Sequence, residues 1–315
     1  MFKRIPVIVV SGFLGSGKTT LIRYLLRKSK KKFGIIINEF GDVGIDGDLI
    51  RDCSDCDGDE NQFLLELNNG CLCCTVQDDF IPSIQLLLKS NPDLEFILIE
   101  TSGLALPVPL IQALNWPEIR GSIYLDMVIG LVNGEAMMNG KPINNLDEIN
   151  SQYEETKVIE HNSSIDELFN EQLEVSDLVV ISRADVLKNN DFNSIKQKVV
   201  NKVASHVPII KSFNGEFDLS YIFGNGSIKN NYTRFLNEDH DHNHIEVFSK
   251  AIKSEYFLDK KDFDDAMSYI LKDLDILRIK GRAWIPGKAI PLQIQIVGKR
   301  INTWFEESSK NCWKP

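Results

Sequence analysis

The sequence predicts an α/β fold, a mostly parallel sheet with helices on both faces, followed by a small α+β domain. A fully apolar strand at 5–11 is followed by largely apolar, strand-like runs at 33–38, 94–99, 123–132, 178–182 and 207–211. Strands of that kind are buried on both faces, which is the condition of a parallel sheet. Between them lie helix-period patterns at 18–28, 79–89, 106–114, 146–157, 163–173 and 191–204. The segment 214–244 then loses periodicity and turns rich in Gly, Asn and Asp, as a linker does. Beyond it a strand at 245–253, a helix at 261–271 and strands at 277–285, 290–297 and 301–305 make the small domain. The expected boundaries are therefore 1–214, a linker at 215–244, and 245–315.

The remaining elements follow from local chemistry. In the helix at 18–28, Leu21, Leu25 and Leu26 share one face and so point it at the sheet. The run Gln62–Leu67 also reads as helix-like. The chain shows no internal repeat, and its biased stretches are the acidic segment 46–60 and a histidine tract at 240–244.

Composition narrows the classes. The 315 residues suit one large core of about 200 residues with a smaller second one. No run of 18 apolar residues occurs, so no membrane span is expected. The N-terminus runs straight into the first apolar strand, and a cleavable leader would remove core; a cytoplasmic chain is expected. With 45 acidic against 35 basic side chains the formal charge is -10, and no basic stripe is present, which disfavours a nucleic-acid partner. Of the 6 cysteines, all but Cys312 fall between Cys53 and Cys74, a grouping that points to metal or thiol chemistry rather than to a disulfide scaffold.

Gly12-Phe13-Leu14-Gly15-Ser16-Gly17-Lys18-Thr19 fits G-x-x-x-x-G-K-T and stands between an apolar strand and a helix, the context that its mechanism needs. Gly12, Gly15, Ser16 and Gly17 let backbone N–H groups wrap phosphates at a helix N-terminus, with Thr20 beside them. Lys18 is expected to reach the β and γ phosphates and Thr19 to complete a Mg²⁺ shell. The α/β domain is thus expected to be of the P-loop NTPase type. Glu100, at the end of the strand 94–99, is placed to hold the Mg²⁺, and Gly103 to offer its N–H to the γ phosphate. Asn38-Glu39-Phe40-Gly41-Asp42 leaves the second strand on the same side, so Glu39, Asp42 and Asp46 are candidates for the metal shell or a switch loop, or else ordinary turn acids. At the end of the strand 178–182, Ser182-Arg183-Ala184-Asp185 offers Asp185 to guanine N1 and its exocyclic amine, which favours GTP.

Cys71, Cys73 and Cys74 place three thiols within one short loop, and thiolates prefer Zn²⁺, Co²⁺ or similar ions. Adjacent side chains in an extended loop point to opposite faces, so Cys71 and Cys73 lead, with Cys74 behind them and Glu39 as an oxygen candidate. Cys53 and Cys56 form a C-x-x-C, and a closed zinc knuckle with Cys71 and Cys73 is the alternative. His240, His242 and His244 either collect a divalent ion weakly or belong to a plain polar linker.

These motifs, with Gly70–Thr75, Glu100-Thr101-Ser102-Gly103-Leu104-Ala105, Leu106-Pro107-Val108-Pro109-Leu110, Asn115–Arg120, and His161-Asn162 followed by Glu167-Leu168-Phe169 and Glu171-Gln172-Leu173, resemble the metal-handling P-loop GTPases that group CobW, HypB and UreG, in the CobW branch. The likeness continues through Leu277–Gly281 and Pro286-Gly287-Lys288. The resemblance implies a G domain with a small C-terminal CobW domain. It implies a GTP-dependent metallochaperone that delivers Co²⁺ to the cobaltochelatase of aerobic vitamin B12 synthesis; relatives serve zinc homeostasis, nitrile hydratase, urease and hydrogenase maturation. Expected partners are cobaltochelatase subunits or another metal-accepting enzyme, and a homodimer that depends on nucleotide or metal. The family's guanine motif is Asn-Lys-x-Asp, so Ser182 and Arg183 depart from it. No catalytic glutamine or arginine finger is evident, which implies slow turnover. GTP and Mg²⁺ are expected to order the loops with Glu39, Asp46 and Gly103, and hydrolysis to release the ion.

Overall fold

The computed structural model describes residues 4–38, 62–67, 80–140, 165–223, 259–273, 276, 278–298 and 300–305. The chain divides into two compact units, Met1–Phe217 and Asp218–Pro315.

In the first unit the described strands are β1 (Ile5–Gly12), β2 (Phe33–Asn38), β3 (Gln62–Leu67), β4 (Phe96–Glu100), β5 (Ile123–Asn133), β6 (Leu178–Ser182) and β7 (Ile209–Lys211). Its helices are α1 (Lys18–Ser29), α2 (Ile81–Ser90), α3 (Pro107–Ala113), α4 (Gly134–Met138), α5 (Ile165–Glu174) and α6 (Asn189–Val200). The strands form one seven-stranded sheet in the order β3-β2-β4-β1-β5-β6-β7, and every described pairing is parallel. All 8 residues of β1 are buried, as are all 5 of β4 and of β6, so helices cover both faces as the apolar runs require.

Two apolar clusters knit the helices on. One joins Val7, Val9, Ile97 and Ile99 to Ile84 and Leu87 of α2 and Leu110 of α3. The other joins Phe13, Val132 and Ile181 to Leu168 and Phe169 of α5 and Ile195 of α6. The chain passes from β1 to β2 on one side and crosses from β4 to β5 on the other, and this reversal opens a crevice at the carboxyl ends of the central strands. The ends Gly12, Glu100, Asn133 and Ser182 all face that side.

The second unit contains α7 (Ser220–Phe223) and α8 (Lys260–Asp273), with an antiparallel sheet of β8 (Arg278–Ala283), β9 (Leu292–Val297) and β10 (Arg300–Phe305) in the order β10-β9-β8. Its own small core has Phe263, Ile285 and Leu292 at the centre, packed by Met267, Ile294 and Phe305. No described helix is long and apolar enough to cross a membrane.

Two expectations change. Gln62–Leu67 is a strand, paired in parallel with β2 from Phe33↔Gln62 to Asn38↔Leu67. Six apolar-rich residues do not distinguish the two periods, and the free edge of β2 decides for the strand. Ser220–Phe223, inside the segment read as linker, is a helical turn with Ile222 fully buried; four residues are too few to show a 3.6-residue period. The expected helix at 146–157 and strand at 245–253 lie outside the described residues.

The packing of α2 on β2 is tight enough to test. A Cβ on Gly34 would fall 2.7 Å from Cδ2 of Leu87. Gly34→Val is expected to cost about 1–3 kcal/mol by overpacking. A lower urea midpoint at constant slope is the predicted result, and an unchanged midpoint would show that Leu87 yields freely.

Candidate functional site

The site is built at the carboxyl end of β1. Gly12 has φ 144°, Gly15 69° and Gly17 97°, values that L side chains rarely adopt, so the glycines are demanded by the turn itself. The loop closes with Ser16 N–H donating to the Phe13 carbonyl at 3.1 Å, and Gly17 begins α1, whose first turn contains no acidic residue. The N–H groups at that helix start and the positive end of its dipole therefore attract an anion. Ser16 Oγ is buried and has no hydrogen-bond partner among the described residues.

Lys18 turns back over the loop. Its Nζ donates to the carbonyls of Gly12 and Phe13, at 3.0 and 3.2 Å, and the side chain is buried. An ammonium so placed carries its charge into the middle of the loop instead of into solvent. On the other side Thr19 Oγ1 donates to Glu100 Oε1 at 3.2 Å, which joins the start of α1 to the end of β4. Glu100 is 2% exposed. A hydroxyl and a buried carboxylate in contact are hard oxygen donors, so these residues fit Mg²⁺.

Gly103 follows Glu100 in a turn closed by Ala105 N–H to the Ser102 carbonyl at 3.1 Å. A Cβ on Gly103 would lie 2.5 Å from the Leu14 amide nitrogen, so this turn touches the phosphate loop directly. Beside the loop opens a cavity of about 440 Å³ bordered by Gly17, Thr20, Ser182, Arg183, Asp185 and Ser212. The segments after β6 and β7 are tied together there by Ala184 N–H to the Ser212 carbonyl (3.1 Å) and Ser212 N–H to the Ile181 carbonyl (2.9 Å). Arg183 stands in the left-handed region at φ 54° and pairs with Glu135. Its guanidinium is thus engaged by a carboxylate at the rim of the cavity. Ser182 Oγ donates to the Val132 carbonyl at 3.2 Å.

Sequence reasoning missed Asn133, which ends β5 and is 4% exposed. Its Nδ2 donates to the Gly15 carbonyl at 3.1 Å, while its Oδ1 accepts from Ala136 N–H at 3.1 Å and caps α4. An Asn ahead of a helix start is a cap signal, but the sequence pattern predicts no helix at 134–138; the bond to Gly15 crosses 118 positions of sequence and leaves no local signal. Glu135 was missed likewise, and Gln172 figures only as part of a family-like run, without a role.

The structure thus brings together Gly12, Gly15, Ser16, Gly17, Lys18, Thr19, Glu100 and Gly103, with Thr20, Arg183 and Asp185 at the adjacent cavity. Glu39, Asp42, Asp46, Cys53, Cys56, Cys71, Cys73, Cys74, His240, His242 and His244 lie outside the described residues.

A parallel sheet whose central strand runs through a glycine turn into a helix, with a lysine folded over that turn, defines the class: a P-loop NTPase domain followed by a second, smaller unit. Residues 6–211 match the CobW/HypB/UreG nucleotide-binding domain, and residues 247–314 match the cobalamin synthesis protein cobW C-terminal domain. The chain belongs to the CobW/HypB/UreG family of P-loop GTPases, in its CobW branch. Among curated relatives, the "Zinc chaperone CobW" of a Sinorhizobium species is 37% identical over 318 residues, spanning 97% of this chain and 88% of its own. The protein of the same name from Pseudomonas aeruginosa is 37% identical over 311 residues, 96% of this chain and 83% of that one. The "Zinc chaperone YjiA" of Escherichia coli is 28% identical over 308 residues, 92% and 85% of the two chains.

The two bonds of Asn133 separate by substitution. Asn133→Asp keeps the acceptor that caps α4 but cannot donate to Gly15. Affinity for GDP and for a non-hydrolysable GTP analogue is expected to fall by a common factor, at least roughly three- to tenfold for one lost hydrogen bond, and the carboxylate buried against the Gly15 carbonyl is expected to lower the melting temperature as well. Fluorescent-nucleotide titration reads this, and unchanged affinities would remove Asn133 from loop positioning.

Proposed function

We propose that this metallochaperone GTPase of the CobW family uses GTP binding and slow hydrolysis to hold Zn²⁺ and pass it to a metal-dependent enzyme. The observation that carries the reading is the likeness, along nearly the whole chain, to proteins named zinc chaperones. The nucleotide half has the local chemistry to match. Backbone N–H groups of the loop and the start of α1 cradle the phosphates, and Lys18 neutralises charge between them. Thr19 and Glu100 would hold Mg²⁺, which when bound offsets charge on the β and γ oxygens. Gly103 offers its amide to the terminal phosphate, and Asp185 reads the guanine edge.

In this reading the cargo ion is taken by Cys71 and Cys73, with Cys74, Glu39 and the histidine tract as further donors. The cytoplasmic setting expected from the sequence keeps those thiols reduced. Loss of the terminal phosphate removes the contact that Gly103 makes, the turn relaxes, and the cargo site loosens with it. Linkage then requires that nucleotide and cargo tighten one another equally.

A second reading, Co²⁺ delivered to a cobaltochelatase, is favoured by the match of residues 247–314 to a cobalamin-synthesis domain. Two or three sulfurs accept both ions, so affinity with nucleotide state decides. Zn²⁺ affinity is expected to rise by about tenfold between the GDP state and a non-hydrolysable GTP state, within the usual range of such couplings. A larger rise for Co²⁺ would move the conclusion to the second reading, and equal affinities in both states for both ions would sink the chaperone switch. Isothermal titration should also give tighter binding of GTP than of ATP. Equal affinities would mean that Asp185 does not select the base.

A further inference from the structure

Gln172 belongs to one of the runs that carry the family resemblance, Glu171-Gln172-Leu173, but the sequence alone assigns it no role. It lies on α5 and is 2% exposed. Its Nε2 donates to two carbonyls of the turn after β4, Gly103 at 3.2 Å and Ala105 at 3.1 Å. One amide group therefore holds both ends of the segment whose glycine touches the phosphate loop. Three residues earlier on the same helix, Phe169 packs its ring against Phe13 of the loop, with centroids 5.8 Å apart. Positions three apart share a helix face, so α5 presents one contact to the phosphate loop and the next to the turn.

The rest of α5 is seated firmly. Leu168 and Leu173 are buried with Phe169 in the cluster that includes Val132 and Ile181. Beyond its C-terminus, Ser176 Oγ donates to the Gln172 carbonyl at 2.9 Å, and a Cβ on Gly130 of β5 would fall 2.3 Å from that hydroxyl. The helix is thus a fixed beam against which the turn is registered. An amide buried in this position satisfies two carbonyls that would otherwise be desolvated without a donor.

We propose that Gln172 is a positioning residue that sets the 102–105 turn against the phosphate loop, so that the Gly103 amide meets the terminal phosphate of a triphosphate. The inference rests on the nucleotide reading given above. Gln172 touches neither the glycine loop backbone nor the base cavity in any described contact, so its contribution belongs to the triphosphate state and not to the diphosphate state.

The experiment compares Gln172→Met, similar in volume but without an N–H donor, and Gln172→Glu, which offers oxygens where the carbonyls need a donor. Full-length protein is titrated with GDP and with a non-hydrolysable GTP analogue, single-turnover GTP hydrolysis is followed, and thermal unfolding is recorded. The expected result is GDP affinity within about twofold of the parent, with analogue affinity and the single-turnover rate each lower by roughly tenfold, the scale of one or two buried hydrogen bonds. Parallel loss of GDP and analogue, or loss of neither, in a variant that unfolds cooperatively would overturn the role of Gln172 and leave the nucleotide reading standing. A parent protein that binds neither nucleotide would overturn the nucleotide reading itself.

Discussion

The constraint on which the rest depends is the bare backbone of Gly12 against β5. A Cβ there would lie 2.5 Å from the Leu131 carbonyl oxygen, a distance that no side chain tolerates, and φ is 144°. Only glycine lets β1 leave the centre of the sheet at this point and turn through Gly15 and Gly17 into α1. Everything at the site is placed by that turn: Lys18 folds back over the carbonyls it exposes, and Thr19 arrives at Glu100. The strand beneath is buried along its whole length and flanked in parallel by β4 and β5, so the turn has a rigid base.

Two buried amides then carry that rigidity outward. Asn133 ties the loop at Gly15 to the start of α4, and Gln172 ties the turn at Gly103 and Ala105 to α5. Asn133 bonds through both its donor and its acceptor, whereas Gln172 bonds through its donor, its Oε1 having no partner among the described residues. A buried amide is costly to desolvate, and the bonds it makes hold backbone segments that have no apolar side chain to anchor them. Glycine-rich loops are segments of that kind. The apolar clusters around α2, α3, α5 and α6 hold the scaffold, while the amides decide where its loops stand.

The second unit follows different physics. Its three antiparallel strands bury a modest core around Phe263, Ile285 and Leu292, with a single long helix among the described residues. Its strands were legible despite their short length, because Pro286-Gly287-Lys288 separates the first two and β-branched residues recur in β9 and β10. The run Gln62–Leu67 shows the opposite case. It has the residues of either period, and it became a strand because β2 had an open edge for it.

Apart from β3, α4 and α7, the chain order of strands and helices, the glycine loop, Lys18, Thr19 and the acid ending β4 were determined by the sequence alone. Each is a local pattern: a period of burial, a turn that needs positive φ, or a residue at the end of an apolar run. Asn133, Gln172 and the pairing of Arg183 with Glu135 were decided only by the tertiary structure. Their partners lie tens to more than a hundred positions away, and a polar side chain in a helix or at a strand end reads as solvent-facing until packing encloses it. Burial turns such a residue from a neutral choice into a connector, and burial is a property of the assembled sheet and helices.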